Sequence, residues 1–333
     1  MKSIITKSGG AAETPSSFSL QNQPVPEATG RDILIRISSI GMNPVDTKVR
    51  ERMEGDRVLG WDACGIVEAV GNDATTFSVG DRVFYAGDIT RPGTNSEFHL
   101  VDERIAAMAP PSLSDADAAA IPLTSITAWE ALFERLQFTP EADANTGQSI
   151  MIIGGAGGVG SIATQLAHWA GLTVYSTASR PDTAAWCTRL GADAIINHRN
   201  NLAEELAAAG AKTVDAILCT THLENHWEAM AECIRPQGKV AFIDDPENSL
   251  DITVFKTKCV SLHWEFMFTR SMFQTGDMAE QGALLTRVSG LLENGTIKST
   301  CSEVLTGLTT ENIQAMHVKQ ESGAMMGKQV LVV

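Results

Sequence analysis

The stretch Ser149-Ile150-Met151-Ile152-Ile153-Gly154-Gly155-Ala156-Gly157-Gly158-Val159-Gly160 decides the fold. An apolar, strand-type run enters G-x-G-x-x-G (Gly155, Gly157, Gly160), and a helix is predicted over 159–170. Alone, the glycine pattern says little. Between a strand and a helix it marks a dinucleotide-binding turn. Gly155 is expected to permit the tight turn, Gly157 to let the backbone approach a pyrophosphate, and Gly160 to let the helix close on the sheet. Together with Ala156, Gly158 and Val159 they surround a helix N-terminus, whose unpaired N–H groups and positive dipole hold phosphate.

Working outward, further strand-like runs begin near Thr173, Ala194, Val214 and Lys239. Helices are predicted between them over 182–190, 201–209 and 224–235. Alternating βα units imply an α/β domain with a doubly wound parallel sheet and right-handed crossovers. The strands carry Ile, Val, Leu and Ala with little alternation, as strands covered on both faces do. Upstream of about residue 125 the rhythm is that of β structure. Asp32-Ile33-Leu34-Ile35-Arg36-Ile37-Ser38 alternates, Cys64 to Val70 and Arg82 to Tyr85 are short strands, and Gly71-Asn72-Asp73, Val79-Gly80-Asp81 and Arg91-Pro92-Gly93 are turns. Such strands suggest a partly closed barrel. Downstream, helices are expected over 277–293, stopped by Asn294-Gly295, and 310–321, stopped by Ser322-Gly323. A strand over 329–333 is expected to return to the first domain. The expected division is 1–125 with 266–333, and 126–265.

Composition narrows the function. The chain has 333 residues, 44% hydrophobic and 20% charged, which suits two folded domains and excludes disorder. Lys and Arg total 25 against 40 Asp and Glu, a net charge of −15. That opposes nucleic-acid binding and an anionic membrane surface, which both need a basic face. The start, Met1-Lys2-Ser3-Ile4-Ile5-Thr6-Lys7, lacks the apolar run of a signal peptide. The six cysteines (64, 187, 219, 233, 259, 301) include no C-x-x-C and read as small buried residues of a reduced, cytoplasmic protein.

The second strand selects the dinucleotide. NAD sites place Asp or Glu at its end, about 20 residues past the glycines, against the ribose 2′-OH. Here the strand ends Val174-Tyr175-Ser176-Thr177-Ala178-Ser179-Arg180, with no acid until Asp182. Ser179 can donate a hydrogen bond to a 2′-phosphate and Arg180 can pair with it, so NADPH is the expected cofactor.

The order of a β-rich domain, a Rossmann-type domain and a return carries further motifs. These are Gly41-Met42-Asn43-Pro44-Val45-Asp46, Gly60-Trp61-Asp62-Ala63-Cys64-Gly65-Ile66-Val67, Val79-Gly80-Asp81-Arg82-Val83 and the glycine loop. Over essentially its whole length the chain resembles the medium-chain dehydrogenase/reductase superfamily. Within it, the chain is similar to the zinc-independent quinone oxidoreductase branch, to which zeta-crystallin belongs. Asp88-Ile89-Thr90-Arg91-Pro92-Gly93, Ser261-Leu262-His263-Trp264-Glu265 and Met267-Phe268-Thr269-Arg270-Ser271 resemble the subgroup often labelled zinc-type alcohol dehydrogenase-like. The resemblance implies a GroES-like barrel domain, a Rossmann domain and a homodimer.

Zinc members of the superfamily carry an early cysteine and a Gly-His-Glu. In this sequence Asn43 stands at the cysteine and Gly60-Trp61-Asp62 at the Gly-His-Glu, which leaves Asp62 nearly alone as a ligand. No cysteine lies between Tyr85 and Pro110, where the structural zinc lobe would be. No metal is expected. His222-Leu223-Glu224-Asn225-His226 has a metal-like spacing, but no third ligand is visible, and surface or cofactor-edge histidines are the better reading.

Without zinc, alcohol–ketone chemistry needs another catalyst, and Tyr-x-x-x-Lys is absent: four residues after Tyr85 and Tyr175 stand Ile89 and Ser179. Quinones and α,β-unsaturated carbonyls are already electrophilic, so positioning against the nicotinamide carries most of the catalysis. The expected function is NADPH-dependent reduction of such a small molecule. The alternatives are a zinc-dependent alcohol dehydrogenase and a non-catalytic, crystallin-like NADPH-binding protein. The resemblance places Asn43 at the active site, Thr127 facing the cofactor, and His198 where relatives often have a tyrosine near the adenosine phosphate. Topology puts Thr220, Thr221 and His222 at the end of the fourth sheet strand, Ile243 and Asp244 at the end of the fifth, and Lys328 near the cofactor. Trp264, Phe266, Met267, Phe268 and Phe273 could be core, pocket wall or dimer contact.

Overall fold

The glycine loop belongs to a sheet whose strands are apolar on both faces, and the computed structural model, which describes residues 1–333, covers both faces with helices. The chain divides into two compact units, Met1–Ile126 with Phe268–Val333, and Thr127–Met267.

The first unit contains β1 (Lys2–Thr6), β2 (Phe18–Asn22), β3 (Asp32–Gly41), β4 (Arg57–Val58), β5 (Asp62–Val70), β6 (Arg82–Ala86), β7 (Phe98–Asp102) and β8 (Ala106–Met108). The second contains β9 (Ser149–Ile153), β10 (Thr173–Thr177), β11 (Ala194–Ile196), β12 (Val214–Cys219), β13 (Ile234–Phe242) and β14 (Ser261–Trp264). The chain then adds β15 (Cys301–Thr306) and β16 (Lys328–Val332) to the first. There β16 pairs antiparallel with β3, and the order is β15-β16-β3-β5-β6-β8, with β7 also on β3 and a small β2-β1-β4 sheet. Ile33, Ile35, Val67, Val83, Tyr85 and Leu331 share its core. The second unit is a six-stranded sheet in the order β11-β10-β9-β12-β13-β14, parallel throughout. This is the Rossmann order, and its direction of winding reverses between β9 and β12.

Helices α1 (Pro44–Arg52), α2 (Asp115–Ala119), α3 (Pro122–Trp129), α4 (Gly158–Trp169), α5 (Pro181–Arg189), α6 (Leu202–Ala208) and α7 (Leu223–Cys233) follow in chain order. Glu130–Arg135 continues α3 as a π-helical turn. The chain ends with α8 (Thr269–Phe273), α9 (Glu280–Glu293) and α10 (Thr310–Glu321).

Some expectations need correction. β13 starts at Ile234, not near Lys239, because Pro236, Gln237 at φ 60° and Gly238 form an irregularity inside the strand rather than a turn before it. β14 and β15 were not foreseen. Every residue of β15 is exposed or half-buried, so its pairing with β16, not local pattern, makes it a strand. Of the cysteines, Cys64, Cys187, Cys219 and Cys233 are buried, but Cys259 is exposed and Cys301 half-buried. No helix is long and apolar enough to cross a membrane.

Candidate active site

The glycine loop makes a tight turn from β9 into α4, and its close contacts show which positions must be glycine. The left-handed φ of +84° belongs to Gly154, not to Gly155. Gly155 instead passes β10 so closely that a Cβ would lie 2.8 Å from the Ser176 Cβ. A Cβ on Gly160 would come within 2.2 Å of the Gly154 carbonyl oxygen, so the loop and α4 fit only with glycine there. Gly157, the residue that opens α4, is different: a Cβ would meet only the Gly154 oxygen, at 3.4 Å. Its missing side chain leaves room in front of the helix, where the first-turn N–H groups have no intrahelical partner. Gly154 N–H donates to Thr177 Oγ1 at 3.0 Å, which ties the turn to β10.

Beside the loop, the Thr220 hydroxyl donates to the Ile153 carbonyl at 2.8 Å, so it closes β12 onto β9. Ile243 and Asp244, past the end of β13, are half-buried. Ser179 and Arg180 follow β10. Arg180 Nε lies 3.3 Å from Asp182 Oδ1, an ion pair between two exposed side chains. Thr127 is buried in α3. Met267 and Phe268 are buried, whereas Trp264 and Phe273 are 53% and 68% exposed, so the aromatic cluster is not one packed core.

In the first unit, Asn43, Asp62 and Lys328 form one buried polar cluster. The cluster arises where α1, β5 and β16 begin. Lys328 is 3% exposed and Asp62 0%. The ammonium donates to the Met42 carbonyl at 2.5 Å, to Asn43 Oδ1, and to Asp62 Oδ2 at 2.9 Å. All three of its hydrogens are used. Asn43 Nδ2 donates to the same Asp62 oxygen at 2.8 Å, and the other Asp62 oxygen accepts the Leu123 N–H at 2.7 Å. Asp46 closes the first turn of α1 by accepting the Asn43 N–H at 2.8 Å. Burial pushes the Asp46 carboxyl up to about 7, against the pull of that N–H and of the Lys328 charge. The sequence reading left Asp62 nearly alone as a metal ligand; the structure pairs it with Lys328. The only sequence signal was a lysine opening an apolar strand, which needs a counter-charge once buried.

The family described as zinc-binding dehydrogenase matches residues 158–282, and the alcohol dehydrogenase GroES-like domain matches residues 29–110. A zinc-type alcohol dehydrogenase-like protein of Staphylococcus aureus (strain MSSA476) is 42% identical over 313 residues, 93% of each chain. The chain belongs to the medium-chain dehydrogenase/reductase superfamily. A crystal structure of a Rhizobium etli CFN 42 protein, provisionally described as a zinc-dependent alcohol dehydrogenase, covers 100% of this chain and 98% of its own at 46% identity and a TM-score of 0.95. Human quinone oxidoreductase is 31% identical over 201 residues, 58% of this chain and 59% of its own. This medium-chain dehydrogenase/reductase is thus an NAD(P)-dependent oxidoreductase.

The zinc in those descriptions does not fit the residues of this medium-chain dehydrogenase/reductase. Trp61 is fully buried and its indole N–H donates to the Asp88 carbonyl at 3.2 Å. Asn43 and Asp62 are taken by an ammonium. No group of three or more His, Cys, Asp or Glu is arranged to hold a metal ion. The glycine loop, by contrast, fits a dinucleotide.

Proposed function

We propose that this chain is an NADPH-dependent reductase of quinones or α,β-unsaturated carbonyls that works without zinc. One observation carries the reading. The residues standing where the superfamily's zinc members place ligands surround an internal cation, Lys328, instead of a metal. A buried ammonium with every hydrogen donated offers no open coordination position, whereas a catalytic zinc must keep one.

The Gly155–Gly160 segment holds the pyrophosphate on the amides that open α4. Ser179 and Arg180 take the 2′-phosphate, with Arg180 exchanging Asp182 for it. Bound NADPH supplies the hydride. Thr127 and Ile243 border its nicotinamide end. Both ends of the Asn43 amide are occupied, one by Lys328 and one by Asp62. Asn43 therefore acts as a fixed wall of the substrate site, held by the ion pair, rather than as a free donor. An activated acceptor suits such a site. Hydride addition to it leaves a delocalised anion that water can protonate, so alignment is what the protein must provide.

The test is steady-state kinetics with 9,10-phenanthrenequinone, 1,4-benzoquinone and a small enone, comparing NADPH with NADH. Turnover that favours NADPH supports the reading. Equal use of the two nucleotides would overturn the phosphate assignment, and NADPH binding without turnover on any acceptor would point to a non-catalytic protein.

A further inference from the structure

Helix α3 does not stop at Trp129 but runs on as the π-helical turn Glu130–Arg135. Such turns are rare and frequently mark functional sites. The two ends of this one show what it achieves. In an α-helix, residues five apart point about 140° away from each other. The i→i+5 pairing of a π turn brings them towards one face. Here Glu130 and Arg135 both reach Glu265. Arg135 Nε donates to Glu265 Oε2 at 2.9 Å, and the Glu130 carboxyl stands within hydrogen-bond reach of the same side chain.

Glu265 follows β14 and is turned inward. It is 2% exposed, whereas its neighbours Trp264 and Phe266 are 53% and 47% exposed. Its N–H donates to the Phe242 carbonyl at 3.0 Å, which fixes it to the end of β13. Glu130 is 1% exposed. Two deeply buried carboxyls thus stand together, and Glu265 Oε1 meets no N–H donor. The surrounding charges do not balance the two. Glu134 Oε2, 3.9 Å from Arg135 Nη1, brings a further negative charge. Lys239 of β13 spends its ammonium on the Leu136 carbonyl at 3.0 Å and on Gln137 Oε1 at 2.7 Å. His263, two residues before Glu265, is held below the ordinary histidine value by burial and then by the Lys239 and Arg135 charges. A carboxyl can hydrogen-bond to a carboxylate only if one of them carries a proton.

We propose that Glu130 and Glu265 share one proton, and that this proton acts as a pH-sensitive clamp fastening α3 to the ends of β13 and β14. The clamp positions two walls of the nicotinamide end, so the inference rests on the reductase reading. Thr127 lies one turn before Glu130 on α3, and Ile243 directly follows Phe242. Burial pushes the Glu265 carboxyl above its ordinary value, and the Glu134 charge adds to this, against the pull of Glu130 and Arg135. A raised carboxyl adds stability that is complete below its unfolded value of 4.5 and is lost as the pH rises through its folded one. Without the proton, two facing carboxylates repel each other and loosen the π turn from β14.

The experiment joins infrared spectroscopy to pH-dependent kinetics on the full chain. At neutral pH the wild type should show the C=O stretch of a protonated carboxyl, which Glu130→Gln and Glu265→Gln should each lose. As alkali removes that band, the wild-type kcat for 9,10-phenanthrenequinone with NADPH should fall about tenfold or more, since a misplacement of about 1 Å can cost about 100-fold. Glu130→Gln donates the same hydrogen bond at every pH, so its kcat should stay level over that range. Glu130→Leu should be slow throughout. A band identical in the wild type and both glutamine variants would overturn the shared proton. The expected band, with Glu130→Gln losing kcat in parallel with the wild type, would overturn the clamp. A wild type that binds NADPH but turns over no acceptor would sink the reductase reading instead. The clamp is then read in urea unfolding, where the alkaline loss of stability should vanish in Glu130→Gln; its persistence would overturn the clamp alone.

Discussion

Replacing Lys328 by methionine keeps the length of the side chain and removes its charge. The Asp62 carboxylate is then left fully buried, with the Leu123 N–H and Asn43 Nδ2 still donating but no counter-charge. Breaking one side of a buried pair costs about 3–5 kcal/mol. A stranded carboxylate can also escape by taking up a proton, which costs about 4 kcal/mol at pH 7 from an ordinary aspartate value of about 3.9. The cheaper route governs, so Lys328→Met should lower the unfolding free energy by about 3–4 kcal/mol at pH 7. At pH 5 the proton route costs only about 1.5 kcal/mol, so the deficit should shrink on acidification. Adding Asp62→Asn removes both charges and should make the double variant more stable at pH 7 than Lys328→Met alone. Urea unfolding at the two pH values, with hydrogen exchange at the Leu123 amide as the local report, measures all three quantities. A deficit at pH 7 below about 1 kcal/mol, the value of an exposed pair, would refute the buried-cation reasoning. So would a double variant less stable than Lys328→Met.

Asp46, raised to about 7, keeps a proton that the unfolded chain has already released. Its contribution to stability is therefore complete below its unfolded value of 3.8 and drains away as the pH climbs to about 7. Asp46→Asn should flatten that decline in the unfolding free energy, and an unchanged slope would count against the assignment. His317 has the opposite sign. Burial and the neighbouring Arg50 pull it from 6.5 down to about 3, so stability is lost as the pH falls between those values. His317→Gln should make the melting temperature less sensitive to acid over that range; equal sensitivity would argue otherwise. Gly160→Ala should lower the melting temperature and abolish NADPH binding, since its Cβ would sit 2.2 Å from a backbone oxygen. Gly157→Ala should leave the melting temperature alone and still weaken NADPH, because its Cβ has space until phosphate arrives; binding equal to wild type would contradict the cradle.

What the sequence made legible was local. A strand, a glycine turn and a helix within twelve consecutive residues announce themselves by residue type alone, and so do the helix stops at Asn294-Gly295 and Ser322-Gly323. What was missed had little local signal: β15 buries nothing completely, and the early start of β13 lies behind a Pro and a Gly. The site was harder, because its partners are distant in the chain. Lys328 and Asp62 are separated by 266 positions, and no spacing rule links them. Asn43 could be singled out by its motif, but not the fact that both ends of its amide are engaged. The His198 and His226 rings stand 6.3 Å apart only because loops from non-adjacent strands converge. Even within the glycine loop, residue type placed the turn but did not single out Gly154 as the residue with positive φ.

The central claim is hydride transfer from NADPH to an activated acceptor with an ammonium where relatives would hold a metal. The most direct measurement is the turnover of 1,4-benzoquinone and 9,10-phenanthrenequinone by protein dialysed against a chelator, with bound zinc quantified in the same sample. The predicted result is full NADPH-dependent turnover with no stoichiometric zinc, unchanged when zinc is added back. Turnover that vanishes on dialysis and returns with one equivalent of zinc would contradict it.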